Sequence, residues 1–109
     1  MTTHLGDLEQ LVLLALLRLG PGAYGVPIGD EIARRAGREV SLGTIYKTLI
    51  RLEAKGLVSA RLGDPTPERG GRRKRFYQLT PSGKRALASA LQAINRLTAG
   101  VEHLLPDQP

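Results

Sequence analysis

Within SLGTIYKTLIRLEAKG, residues 41–56, the side chains that could do chemistry are Thr44, Lys47, Thr48 and Arg51. A helix advances about 100° per residue, which sets Thr44, Lys47 and Arg51 on one side and Leu42, Ile45, Leu49 and Leu52 in a stripe on the other. Hydroxyls and cations grouped in this way donate hydrogen bonds to phosphate oxygens and base edges. They form no nucleophile and base pair and no metal-ligand set. Ser41 is placed to cap the helix start and Gly56 to end it in a left-handed conformation, so the expected helix runs from about 42 to 55. A solvated surface helix would carry the same pattern, and the residues after Gly56 decide between the two.

Residues 57–62 and 73–79 alternate apolar and polar side chains on either side of a turn-rich loop, GDPTPERGG, which predicts a two-stranded hairpin. The segment from Leu57 to Tyr77 holds Arg61, Arg69, Arg72, Arg73, Lys74 and Arg75 against Asp64 and Glu68, four of the chain's net +6 charges. So dense a cluster repels itself unless an anion answers it, and the planar fork of arginine suits phosphate best. The simpler alternative is a charge run that only aids solubility.

These segments need a frame. With 109 residues the chain forms one domain with a modest core, and its net charge favours an anionic partner. The most apolar run, 11–17, is too short to span a bilayer, and MTTHLGDLEQ lacks a cationic leader region, so a cytoplasmic protein with no membrane partner is expected. The absence of cysteine excludes disulfides and thiolate metal sites. His4 and His103 fall in terminal regions, and Asp7, Glu9, Asp30, Glu31 and Glu53 read as helix-surface or first-turn carboxylates. No catalytic residues, metal or cofactor are therefore expected, and the chain is not expected to be an enzyme.

Ahead of the polar helix, DLEQLVLLALLRL (7–19) is apolar nearly all round and predicts the centre of the core. After Gly20, Pro21 and Gly22, a second helix is expected to open at Pro27, to turn Ile28 and Ile32 inward and to end at Gly37. The short link to Ser41 suits a helix-turn-helix. After the hairpin, Thr80 and Pro81 signal a further helix start. Leu87, Leu91, Ile94, Thr98, Val101 and Leu105 follow the three-and-four spacing of a coiled-coil seam, which predicts one helix through residue 105 and a homodimer built on it. Packing of that stripe on its own domain is the alternative.

Taken in order, LGDLEQLVLLALLRLG, YGVPIGDEI, VSLGTIYKTLIRLEAKGLV and ERGGRRKRFYQLTPSG resemble the PadR family of bacterial transcriptional regulators over nearly all of residues 5–88. The match is loosest at YGVPI, where Val26 and Pro27 stand. The resemblance implies a mainly α fold with a small β-hairpin: a winged helix-turn-helix over 1–79, a C-terminal dimerisation helix over 80–105 and a tail over 106–109. It also implies repression of a promoter, relieved by an effector, which in smaller members sits between the subunits. On this sequence residues 42–55 become the recognition helix and 57–79 the wing. The candidate DNA-binding residues are Ser41, Thr44, Tyr46, Lys47, Thr48, Arg51, Arg69, Arg72, Arg73 and Arg75, and the candidate dimerisation residues are Leu87, Leu91, Ile94, Val101 and Leu105. The expected partners are palindromic double-stranded DNA, a second copy of the chain and a small-molecule effector at the dimer interface. A winged-helix module gripping an acidic protein is the rival of another class, and structured RNA a further one, disfavoured because a helix fits the wide major groove of B-DNA better than the narrow groove of A-form RNA.

Overall fold

A computed structural model describes residues 4–64 and 73–107. In chain order the elements are α1 (Asp7–Leu19), α2 (Gly25–Ala36), α3 (Leu42–Ala54), β1 (Val58–Leu62), β2 (Arg75–Leu79) and α4 (Pro81–Thr98), with single 3-10 turns at Gly20–Gly22 and Glu102–Leu104. The apolar run of α1 explains its place: Val12, Leu13 and Leu16 are buried against Ile28 and Ile32 of α2 and Ile45, Leu49 and Leu52 of α3. Five large aliphatic side chains from α2 and α3 thus close over one helix, which fixes the angle at which α3 crosses the molecule.

The hairpin closes the other side of this core. β1 and β2 pair antiparallel, with Val58 opposite Leu79 and Leu62 opposite Arg75. Tyr77 faces inward and is buried, while its backbone N–H donates to the Ala23 carbonyl at 2.9 Å, so the segment after α1 flanks the hairpin. Thr80 then joins three elements. Its backbone N–H donates to Leu57 O and its hydroxyl to Gly56 O, while the same hydroxyl accepts from Gly83 N at 3.0 Å to cap α4. Gly83 is required here: a Cβ on it would lie 2.0 Å from the Leu57 carbonyl oxygen.

Four expectations are corrected. The buried stripe of α3 is Ile45, Thr48, Leu49 and Leu52, the i, i+3, i+4, i+7 set, so Leu42 falls outside it and is 45% exposed. Helix α2 begins two residues before Pro27, at Gly25. Glu9 and Glu31 are buried, not on the surface, because Lys55 pairs with Glu9, and Arg34 and Arg35 with Glu31. Helix α4 stops at Thr98, where Ala99 turns extended and Gly100 takes φ +85°, so Val101 and Leu105 lie beyond the helix instead of continuing its seam.

Candidate nucleic-acid interface

Helix α3 starts on the Ser41 hydroxyl, which accepts from Thr44 N at 3.2 Å and donates to Thr44 Oγ1 at 2.9 Å. Both residues are exposed, so this end of the helix presents paired hydroxyls to its surroundings. Further along, Lys47 and Arg51 are exposed, and among the described residues neither forms an ion pair. Thr48 does not join them. It is only 1% exposed, and its hydroxyl donates to the Thr44 carbonyl at 2.8 Å, which satisfies it inside the core. Tyr46 is half-buried, its ring lying over the start of α2 so closely that a Cβ on Gly25 would come within 2.6 Å of it. Packing against α2 is therefore the role its surroundings define.

The base of the wing is tied to the same helix. Arg75 donates from Nη2 to both oxygens of Glu53, at 3.2 and 3.1 Å, and from Nε to the Tyr77 hydroxyl at 3.1 Å. The Tyr77 hydroxyl and the Glu53 carboxylate hold the Arg75 guanidinium above its ordinary pKa, which leaves it a fixed cation in any case. Arg75, expected to grip a phosphate, thus also has partners within its own chain. Its Nε and Nη2 hold β2 against the end of α3, which sets wing and helix side by side. Arg73, just before β2, is exposed and makes no ion pair among the described residues. Arg69 and Arg72 lie outside the described residues.

A second bracing set escaped the sequence reading. The Arg61 guanidinium stacks 4.6 Å from the Phe76 ring centre, Phe76 meets Tyr24 edge to face at 5.8 Å, and the Lys74 ammonium sits 4.6 Å over Tyr24. Arg61 also donates to Pro21 O at 3.1 Å. Two stacked rings with a cation on each outer side fix the wing base to the segment before α2. Also missed was Ile50, 62% exposed on the free side of α3 between Lys47 and Ala54.

Of the candidate dimerisation residues, Leu87 is buried in its own subunit and Leu91 is partly covered, whereas Ile94, Val101 and Leu105 are 52%, 42% and 61% exposed. Leu97 at 84% and Leu104 at 71% join the open set. The first turns of α4 therefore belong to the domain, and only its distal part offers an apolar surface. No described helix is long and apolar enough to cross a membrane, and the described residues hold no cluster of three or more possible metal ligands.

Comparison with known proteins fits this architecture. The model of the transcriptional regulator PadR-like family matches residues 13–89. A transcriptional regulator of Mycobacterium tuberculosis is 39% identical over 80 residues, covering 72% of this chain and 68% of that protein. An uncharacterised transposon protein of Streptomyces fradiae is 37% identical over 103 residues, 94% of this chain, and the chain spans only 27% of its length. Among solved structures, a PadR family transcription regulator from Clostridium difficile superposes with a TM-score of 0.75 at 25% identity, over 93% of this chain and all of that one. Bacillus subtilis PadR in complex with operator DNA superposes with a TM-score of 0.66 at 24% identity, over 94% of this chain and 49% of that one, which shows the shared fold. A winged helix-turn-helix frame, a family model over most of the chain and a regulator at 39% identity lead to one conclusion: the chain belongs to the PadR-like family of transcriptional regulators.

Proposed function

We propose that the chain is a homodimeric repressor of double-stranded DNA, with α3 of each subunit in a major groove and the wing along the neighbouring backbone. The observation that carries this reading is the open side of α3, where Thr44, Lys47 and Arg51 stand exposed on a helix whose other side is core. Arg73, and with it Arg69 and Arg72 by sequence, adds cations on the wing. The operator complex of Bacillus subtilis PadR supports the choice of DNA as partner. Exposed Ile94, Leu97, Val101, Leu104 and Leu105 support a second copy as the cover of the C-terminal segment, and two copies imply a palindromic operator. An effector that releases the DNA at that interface would meet chiefly Leu, Ile, Val and Ala, since the chain has no Trp and one Phe. Such a regulator works in the cytoplasm.

The test is fluorescence anisotropy on the DNA upstream of its own gene against shuffled DNA of equal length, over a salt series. A preference of about 1,000-fold at physiological salt is expected. Equal and weak binding that vanishes as salt rises would reduce the interface to an electrostatic patch. One observation favours the rival protein-binding module: a protein-binding helix displays an apolar anchor, and Ile50 stands open on this one. In that case an acidic protein, not DNA, would compete for the wing.

A further inference from the structure

We infer that Ile50 is a specificity residue that reads the 5-methyl group of a thymine in the major groove, an inference that rests on the DNA-binding reading above. Ile50 is 62% exposed, and no packing within the described chain accounts for a branched aliphatic side chain there. It lies on the strip that also carries Gly43, Lys47 and Ala54, all exposed. Gly43 has nothing within 4 Å of where a Cβ would stand, so the subunit's own packing does not call for a glycine. With Gly43 and Ala54 low, Lys47 and Ile50 are the two side chains that rise from the strip, and the backbone can approach the groove floor closely.

The cations to either side select the surroundings in which Ile50 is buried. Lys47 and Arg51, flanking it in the chain and both exposed, favour a polyanion over an apolar protein surface. On the floor of a DNA major groove the hydrogen-bonding edges of guanine, cytosine and adenine give an aliphatic side chain nothing to gain, whereas thymine presents a methyl group. Lys47, one turn toward the helix start, suits the acceptor edge of guanine. Three residues of helix rise about 4.5 Å and stacked bases about 3.4 Å, so the thymine falls within about two base pairs of that guanine.

The experiment enriches a randomised double-stranded DNA pool on the full chain and then replaces each thymine of the enriched site singly by deoxyuridine, which removes only the methyl group. Wild-type protein is expected to lose about fourfold in affinity at one thymine of each half-site, the contribution of one buried methyl group. Ile50→Ala is expected to bind the thymine and deoxyuridine duplexes equally, and Ile50→Val to retain part of the difference. An unchanged melting temperature confirms that the variants fold. Enrichment with no thymine sensitivity, or with the same sensitivity in Ile50→Ala, overturns the inference and leaves the regulator reading standing. A shift of Ile50→Ala to monomer in sedimentation, without a change in thymine sensitivity, assigns Ile50 to a protein interface and overturns it too. No enrichment of any sequence overturns both readings.

Discussion

Helices α3 and α4 begin alike, each capped by a hydroxyl that accepts a backbone N–H three residues on, Ser41 for Thr44 and Thr80 for Gly83. They end differently. Over its 13 residues α3 buries Ile45, Thr48, Leu49 and Leu52, and the side left open carries Thr44, Lys47 and Arg51 beside Ile50. Over its 18 residues α4 buries only Gly83 and Leu87, and its far end leaves Ile94 and Leu97 open. The first helix is complete within one subunit and divides structure from recognition by face. The second divides them by length, with a docked beginning and an end whose apolar surface has no cover among the described residues. An exposed apolar patch of that kind costs solvation unless another chain buries it.

The largest effect expected from this contrast is on stability. Leu49→Ala empties a site with no exposure and should lower the unfolding free energy by about 3 kcal/mol, read by urea titration at fixed protein concentration. Leu97→Ala, on the open end of α4, should change the intrinsic stability of the subunit by less than about 0.5 kcal/mol. Similar losses in the two variants would mean that the far end of α4 is part of the core after all.

Association should respond in the opposite sense. Charges placed at the two most exposed leucines, Leu97→Glu with Leu104→Glu, are expected to weaken self-association about 100-fold by sedimentation, since each buries a carboxylate in what was an apolar contact. The secondary structure should stay intact. An unchanged association constant would move the interface elsewhere on the molecule.

Much of this division was legible in the sequence. Caps at Ser41 and Thr80, the left-handed glycines at 37 and 56 and the strand alternation around the wing are local signals, and each stands where the residues place it. What failed were judgements that depend on the third dimension. Thr48 looked polar and therefore outward, but the turn before it offers a carbonyl that lets a threonine be buried at little cost. Arg75 looked free among neighbouring cations, but only the fold brings Glu53 and Tyr77 to it. The three-and-four spacing of α4 runs on through Thr98 and Gly100, but the backbone turns there, so Val101 and Leu105 are exposed and lie beyond the helix. Ile50 sits next to Leu49 of the packing stripe, and sequence pattern alone does not mark an aliphatic residue there as open.

Two lysines, Lys47 in the middle of α3 and Lys55 at its C-cap, show the same contrast on a smaller scale. Lys55 reaches both oxygens of Glu9, at 3.1 and 2.8 Å, and the carbonyl of His4 at 3.2 Å. Burial pushes the Glu9 carboxyl up, but Lys55 and the Gly6 N–H outweigh it and hold the group below its ordinary value of 4.5. A depressed carboxyl adds stability above that value and loses it as pH falls through its own, lower, titration. Lys55→Met should therefore cost about 2 kcal/mol at neutral pH, less than a fully buried pair because the lysine is partly open to water. The gap to wild type should narrow below pH 4.5, as Glu9 takes up a proton. A gap independent of pH would show that the pair is not what stabilises the fold.

Lys47 has no such partner among the described residues, and its removal should leave the melting curve where it is. Its effect is expected on DNA alone. If Lys47 touches a base edge, Lys47→Ala lowers affinity for the enriched site by roughly tenfold, about 1.4 kcal/mol, and leaves affinity for random DNA nearly unchanged. Arg73 on the wing is the complementary case. If it meets only phosphate, Arg73→Ala weakens both DNAs alike and reduces the slope of log affinity against log salt by about 0.9, one phosphate contact. The two variants therefore separate reading from holding. Equal losses on specific and random DNA for Lys47→Ala would place this lysine on the backbone beside Arg73 and leave Thr44, Ile50 and Arg51 as the side chains of α3 able to discriminate sequence.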